Sequence, residues 1–306
     1  MSIRLIFLGT GAAVPTANRS LPSFVLQRGS EIIMFDCGEA VQLQMIRAKI
    51  SLHKNMKILI THMHGDHVLG LPGLLQTMAL MNREKSIDIL GPKGLKHFLE
   101  CLIETLQFGL TFEINVYEIS HSGTIYECKE YIIEAIHSNH AVEGFSFSFK
   151  EKPRPGKFYP EKAQALDIPQ GEAWGKLQRG EPYIFSDGRT VKPSEVADSP
   201  REGRKIVYSG DTKPFSEFST FAADADLVIH EATFDDSLTE KAEIDGHSTP
   251  SQAAQQAKAA NAKQLVLTHI SARYDQHTLL LRQAQKIFSN TIVAQDFLEL
   301  ELPLGK

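Results

Sequence analysis

Residues 60–75 read ITHMHGDHVLGLPGLL, which sets His62, His64, Asp66 and His67 within six positions around Gly65. The apolar runs KILI and VLGLPGLL flank them, so the crowded groups are expected to face a cleft and not open water. Three imidazoles and a carboxylate at this density call for a cation. Further along the chain His140 follows YIIEAIHSN, Asp211 closes KIVYSG and His269 closes QLVLT. His62 likewise closes KILIT. Groups at the C-terminal ends of several strands are where the loops of a sheet-based enzyme converge. Imidazole and carboxylate without thiolate suit zinc, with manganese or iron as alternatives. Seven ligand groups exceed the needs of one four-coordinate ion and match two ions that share a bridging carboxylate. Alone, His140 or His269 would pass for a hydrogen-bonded strand end; the quartet at 62–67 is what makes them candidate ligands.

The elements that must position these groups are legible as patterns. Short β-type runs recur at RLIFLG, SFVLQ, EIIMFDCG, KILITH, IDILGP, FEINVYEI, YIIEAIH, FSFSFK, KIVYSGD, DLVIHEA, QLVLTHI and TIVAQDF. Helical spacing of apolar residues marks AVQLQMIRAK, LPGLLQTMALMN, LKHFLECLIETL, SQAAQQAKAANA and HTLLLRQAQKIF. Sheets inside and helices outside are expected, in an α/β or α+β class. ILITH at 58–62 and LVLTH at 265–269 echo each other and suggest two similar halves packed sheet to sheet.

Composition narrows the class. With 42% hydrophobic and 23% charged residues, the 306-residue chain can bury the core of a globular enzyme. MSIRLIFLGTG is too short an apolar run for a signal peptide, and no run reaches a membrane span, so a cytoplasmic location is expected. Cys37, Cys101 and Cys128 are odd in number and form no CxxC pair, which encodes neither a disulfide framework nor a thiolate zinc site. A net charge of -5 argues against coating nucleic acid by global charge. Residues 150–205 differ from the rest: rich in Pro and Gly, they carry 12 Lys and Arg against 9 Asp and Glu and read as a long loop, functional or disordered, with a charge that a solvated linker would share.

THMHGDH looks like the HxHxDH signature of the metallo-β-lactamase superfamily. FLGTGAAVPTANRS, MFDCGEA, VYSGDT, HEATF, GHST and LTHISARY then resemble, in order and over essentially the whole chain, the ribonuclease Z family of tRNA 3′-processing endonucleases. The resemblance implies a metallo-β-lactamase fold, a four-layer αβ/βα sandwich over residues 1–306, interrupted at 151–204 by a flexible arm that grips tRNA. It implies two zinc ions, one on His62, His64 and His140, the other on Asp66, His67 and His269, with Asp211 bridging and Asp66 as proton acceptor. His247 in GHST is then the natural general acid for a ribose 3′ oxygen, and Glu231 in HEAT either orients it or makes a plain structural hydrogen bond. His230 is assigned to structure. Asn18 and Arg19, with Arg273 and Tyr274, are candidates to grip phosphates and stack the terminal base, the alternative for either pair being an ordinary surface contact. The family also implies a precursor tRNA substrate and a homodimer in which one arm serves the other subunit. Gly171-Glu172 departs from the Gly-Pro of many relatives and puts the arm's contacts in question. The alternative is another hydrolase of the superfamily, a small-molecule phosphodiesterase or thioesterase, which has no use for a basic arm or the HST histidine. A flavodiiron oxidoreductase would need an HxExD version of the motif, and a decayed RNA-binding relative would not keep all seven ligand positions.

Overall fold

The computed structural model describes residues 2–304. One seven-stranded sheet runs, edge to edge, Glu299–Leu302, Ile3–Gly9, Ser23–Arg28, Glu31–Phe35, Asn55–Leu59, Ile87–Gly91 and Ile114–Glu118. The second runs Thr291–Val293, Leu265–Thr268, Leu227–Glu231, Lys205–Tyr208, Phe145–Glu151, Tyr131–His137 and Gly123–Glu127. ILITH reaches the end of the strand Asn55–Leu59 in one sheet, and LVLTH belongs to Leu265–Thr268 in the other. Both strands pair in parallel with two neighbours, and parallel strands buried on both faces require the continuous apolar runs seen in the sequence.

Strand alternation then builds the layers. Ile6, Leu8, Val25 and Met34 pack with Val41, Met45, Leu71 and Leu75 from the helices Val41–Arg47 and Gly70–Leu80. Facing the other way, Phe24 and Phe35 stack at 4.6 Å and meet Tyr208 of the second sheet at 5.0 and 6.0 Å. Phe147, also of the second sheet, lies 6.4 Å from Phe35. On the far side Val207, Val228, Leu265 and Leu267 pack with Ala253, Ala254 and Ala257 of the helix Pro250–Ala259 and with Leu280 and Ala284 of the helix Thr278–Gln285. The order helix, sheet, sheet, helix follows. Among the described residues no helix is long and apolar enough to cross a membrane.

The helix Pro250–Ala259 begins where its sequence says it should. Pro250 occupies its first turn, the Thr249 side chain accepts from Gln252 N, and Gln252 Oε1 accepts from Thr249 N at 2.9 Å. The helix Leu95–Leu106 coincides with the apolar periodicity of LKHFLECLIETL. Within the two seven-stranded sheets, Gly123–Glu127 and Glu299–Leu302 carry no legible signal. Both lie at sheet edges with largely exposed side chains, so neither needs an apolar run.

Residues 128–131 and 150–204 form a second compact unit. Where the sequence reads as a long loop, this unit holds the helices Pro160–Ala165, Glu172–Gln178 and Pro193–Val196 and a hairpin of Tyr183–Ile184 with Thr190–Val191. Ala163, Ile168, Ala173, Leu177, Val191 and Val196 make its core, with Phe158, Trp174 and Phe185 packed around them. A buried bidentate ion pair, Arg204 to Glu151 at 2.7 and 2.8 Å, lies where its chain enters and leaves. Gly171 has φ 96° and Glu172 opens the following helix. A glutamate there complements the helix dipole and lies 3.2 Å from Lys176, so the departure from Gly-Pro is accommodated locally.

Candidate metal centre

The strand Asn55–Leu59 ends three residues before His62 and not at it. His62 is instead fixed by a single bridge to Gly144, and Phe145 N donates to Thr61 O at 2.9 Å. The chain then turns through the short helix Gly65–Val68, which His67 enters with its amide donating to His64 O at 3.1 Å. Gly70 is needed where this turn meets the preceding loop, because a Cβ there would stand 2.0 Å from Gly38 O. From the second sheet, Asp211 follows Gly210 at φ 58°, and His269 itself has φ 56°, a left-handed conformation costly for a non-glycine residue and typical of a functional position.

These turns bring all seven candidate ligands together. His62 Nε2 lies 3.0 Å from His64 Nδ1, which is 3.2 Å from His140 Nε2. His67 Nε2 and His269 Nε2 are 3.3 Å apart, and Asp66 Oδ2 is 3.6 and 3.5 Å from them. Asp211 Oδ2 stands between the two groups, 3.7 Å from His62 Nε2, 3.4 Å from His67 Nε2 and 3.2 Å from His269 Nε2. His62, His67, Asp211 and His269 are almost wholly buried.

The surrounding hydrogen bonds fix which nitrogen faces inward. His140 Nδ1 donates to Gly246 O at 2.7 Å and His67 Nδ1 donates to Asp36 Oδ2 at 2.8 Å. Thr61 gives its hydroxyl to Asp36 and so accepts from His62 Nδ1 at 3.0 Å. Thr233 gives its hydroxyl to Glu231 Oε2 at 2.7 Å and accepts from His269 Nδ1 at 2.8 Å. In each case the other nitrogen faces the centre, the arrangement that orients metal-ligating imidazoles. Ring nitrogens facing one another at 3.0–3.3 Å are compatible only with a shared proton or a cation between them. Asp211 Oδ1 is buried without a hydrogen-bond partner, which a cation would also satisfy. The donor set fits divalent metal.

Charge inside the cluster is divided accordingly. Burial and the neighbouring imidazoles push His62 well below its ordinary range. Burial also opposes protonation of His67, yet Asp211 and Asp36 outweigh it and hold that imidazole well above the ordinary value. Burial works against ionisation of Asp66 and Asp211, but the surrounding histidines keep both below the usual carboxylate range.

His247 stands beside this cluster in a different role. Its Nδ1 lies 2.9 Å from Glu231 Oε1 and 3.9 Å from Asp211 Oδ2. Although position alone would allow it to join Asp211 and His269 around an ion, its Nδ1 is occupied by the Glu231 carboxylate. Glu231 is fully buried and also accepts from Thr212 N at 3.0 Å and from Thr233 N at 3.1 Å. Burial lowers the His247 pKa and the Glu231 charge and hydrogen bond raise it more, so that it is pushed up to about 9. His230, fully buried, spends both ring nitrogens on Glu231 O and Gln256 Oε1.

The four proposed substrate contacts divide. Asn18 and Arg273 are exposed, and the Arg273 guanidinium lies 5.3 Å from the Phe234 ring, which in turn is 5.9 Å from His247. Arg19 does not reach outward. It is 8% exposed, and its Nη1 donates to Thr10 Oγ1 at 2.6 Å and Ala294 O at 2.7 Å, so the guanidinium is an internal brace. Tyr274 is half-buried and anchors the loop after Leu227–Glu231, its hydroxyl donating to Asp235 Oδ2 and accepting from Asp235 N, both at 2.8 Å. Sequence reasoning missed Asp36. Its buried carboxylate takes Thr61 N, Thr61 Oγ1, His67 Nδ1 and the Tyr208 hydroxyl at 2.8–3.0 Å, and its only sequence signal was an Asp closing EIIMF.

The chain is similar to known proteins over nearly its whole length. The family model described as anti-Pycsar protein Apyc1 matches residues 3–154, and the β-lactamase superfamily domain matches residues 194–270. A ribonuclease Z from Nitrosopumilus maritimus (strain SCM1) is 43% identical over 300 residues, covering 98% of this chain and 100% of the relative. A ribonuclease Z from Methanosarcina acetivorans is 43% identical over 302 residues, covering 98% of each chain. The crystal structure of the short form of human tRNase Z superposes with a TM-score of 0.74 at 30% identity, over 98% of this chain and 100% of that one.

Proposed function

Because this chain belongs to the ribonuclease Z family, we propose that it is a tRNA 3′-processing endonuclease that removes the trailer from precursor tRNA, leaving a 3′ hydroxyl on the tRNA and a 5′ phosphate on the trailer. The observation that carries this reading is the Glu231–His247 pair set 3.9 Å from a carboxylate shared by two ligand groups. His62, His64 and His140 would hold one zinc ion and Asp66, His67 and His269 the other, with Asp211 reaching both; manganese or iron suits the same donors. When bound, such a pair supplies a water-derived nucleophile near neutral pH and neutralises charge on the phosphodiester.

The chain's own residues do the rest. Ala13 N donates to Asp66 Oδ2 at 2.8 Å and fixes the carboxylate that acts as proton acceptor. Glu231 keeps His247 protonated with Nδ1 toward itself, leaving Nε2–H to protonate the departing ribose 3′ oxygen. Asn18 and Arg273 are the exposed groups that would touch the RNA near the cut, and residues 151–204 would grip the tRNA body away from it.

A homodimer, each arm serving the other subunit's site, fits the exposed Leu43, Ile46, Leu80 and Met81 on and beside two helices that touch each other. A cytoplasmic location fits three free cysteines and a tRNA substrate. Mapping the ends formed from a 3′-extended tRNA precursor tests the function. A 3′ hydroxyl on the tRNA is expected. A 2′,3′-cyclic phosphate would mean attack by the RNA's own hydroxyl and would overturn it.

A further inference from the structure

His247 forms one wall of a cavity of about 240 Å3 that the chemistry above leaves without a role. Asn139, Lys213, Pro214, Glu243 and Gln252 line the rest. The backbone under Lys213 is fixed from several directions. Lys213 N donates to Asn139 O at 2.9 Å, Asn139 N to Thr212 Oγ1 at 3.0 Å, Thr212 N to Glu231 Oε1 at 3.0 Å, and Ser248 Oγ to Thr212 O at 2.6 Å. Its ammonium nonetheless makes no ion pair with any described residue, although it stands two positions after Asp211. Glu243 is exposed on the helix Thr239–Asp245 and is also unpaired among the described residues. A held but unpaired cation, an unpaired carboxylate and two amides around one cavity make a lining suited to a zwitterion-like ligand, with an anionic group at one end and hydrogen-bond donors at the other.

The position of His247 says which part of the RNA this is. Its proton goes to the oxygen that stays with the tRNA, so a cavity walled by that imidazole adjoins the nucleotide carrying the oxygen. We propose that the cavity binds the last nucleotide retained on the tRNA, Lys213 pairing with the phosphate on its 5′ side and Glu243 accepting a hydrogen bond from an amino group of its base. Adenine, cytosine and guanine carry such an amino group and uracil does not; glutamate acceptance from a base amino group is a known pairing. The inference rests on the endonuclease function proposed above and adds a base preference to it.

Four precursors that differ only in the base of the last retained nucleotide test it, cut by the wild-type protein and by Glu243→Ala, Lys213→Met and Lys213→Arg. The wild type is expected to cut the uracil precursor about tenfold less efficiently, the size of one hydrogen bond to a charged group. Glu243→Ala should abolish that gap, and Lys213→Met should raise KM about tenfold for all four while metal content stays unchanged. Lys213→Arg should restore most of the loss, because it restores the charge. A wild-type protein indifferent to uracil, a gap that survives Glu243→Ala, or an unaltered KM in Lys213→Met would overturn the proposal. Failure of the wild type to cut any precursor would overturn the function itself, and the cavity's role with it.

Discussion

Glu231 Oε1 holds His247 Nδ1 at 2.9 Å while Thr212 N, Thr233 N and Thr233 Oγ1 pin the same carboxylate from its other sides. The carboxylate cannot turn away, so its charge is delivered to one imidazole. This relationship decides the protonation state of the proposed acid.

The first consequence is a pH profile. A group that must be protonated to act loses activity as pH rises through its pKa, and His247 is held at about 9. Glu231→Gln removes the charge that raises it, so the alkaline fall in kcat should move down by at least about one unit, toward the ordinary histidine value near 6.5. Rate measurements from pH 6 to pH 10 on both proteins check this. An unmoved alkaline limb would give Glu231 a structural role only.

Metal analysis separates the ligands from their supports. Asp211→Ala should leave less than one ion per chain, because it removes the carboxylate that reaches both groups. Asp36→Asn should keep the wild-type stoichiometry at saturating metal but weaken the affinity about 10–100-fold, the usual effect of losing a group that orients a ligating imidazole. His247→Ala should retain full stoichiometry.

The contrast between Asp211 and Asp36 shows what was legible in the sequence. The candidate ligands announce themselves by density, since His62, His64, Asp66 and His67 have no other reason to crowd one turn. Asp36 is a lone carboxylate after an apolar strand, and only the fold brings Thr61, His67 and Tyr208 to it. Exposure was equally hidden: Arg19 and Asn18 are sequence neighbours, yet one points into the protein and the other out. In residues 150–204 the prolines, glycines and charges masked a small core whose Ala173 and Leu177 lie at helical spacing. The two sheets were readable because their buried strands are continuous apolar runs.

Arg19 and Arg273 should therefore behave differently. Arg19→Met strands Ala294 O and takes one of two partners from Thr10 Oγ1, which still donates to Asp296 Oδ1, and should cost about 1–3 kcal/mol of stability, with the salt dependence of tRNA binding unchanged. Arg273→Ala should leave stability alone and reduce the salt slope by about 1 if the guanidinium meets a phosphate. Thermal unfolding and tRNA binding at several salt concentrations distinguish the two.

The arm unit supplies its own deletion points. Arg154 N and Arg201 O bond at 2.9 Å, and Arg201 N and Arg154 O at 2.8 Å, so residues 155–200 can be replaced by a two-glycine turn across that pair. A cut from 153 to 180 would instead split the core of Ala163, Leu177 and Val191. The shortened protein should keep its metals and hydrolyse bis-nitrophenyl phosphate while losing at least about tenfold in affinity for precursor tRNA. Unchanged tRNA affinity would place the grip on the sandwich.

The most direct test of the account asks whether His247 delivers a proton to the leaving oxygen. A precursor tRNA with sulfur in place of the bridging 3′ oxygen at the cut site provides it, since a thiolate, with a thiol pKa of about 8.5, leaves without being protonated. On the oxygen substrate His247→Ala should slow single-turnover cleavage by about 10²–10⁴. On the sulfur substrate the two proteins should cleave at nearly the same rate. An equal deficit on both substrates would contradict the role assigned to His247 and Glu231.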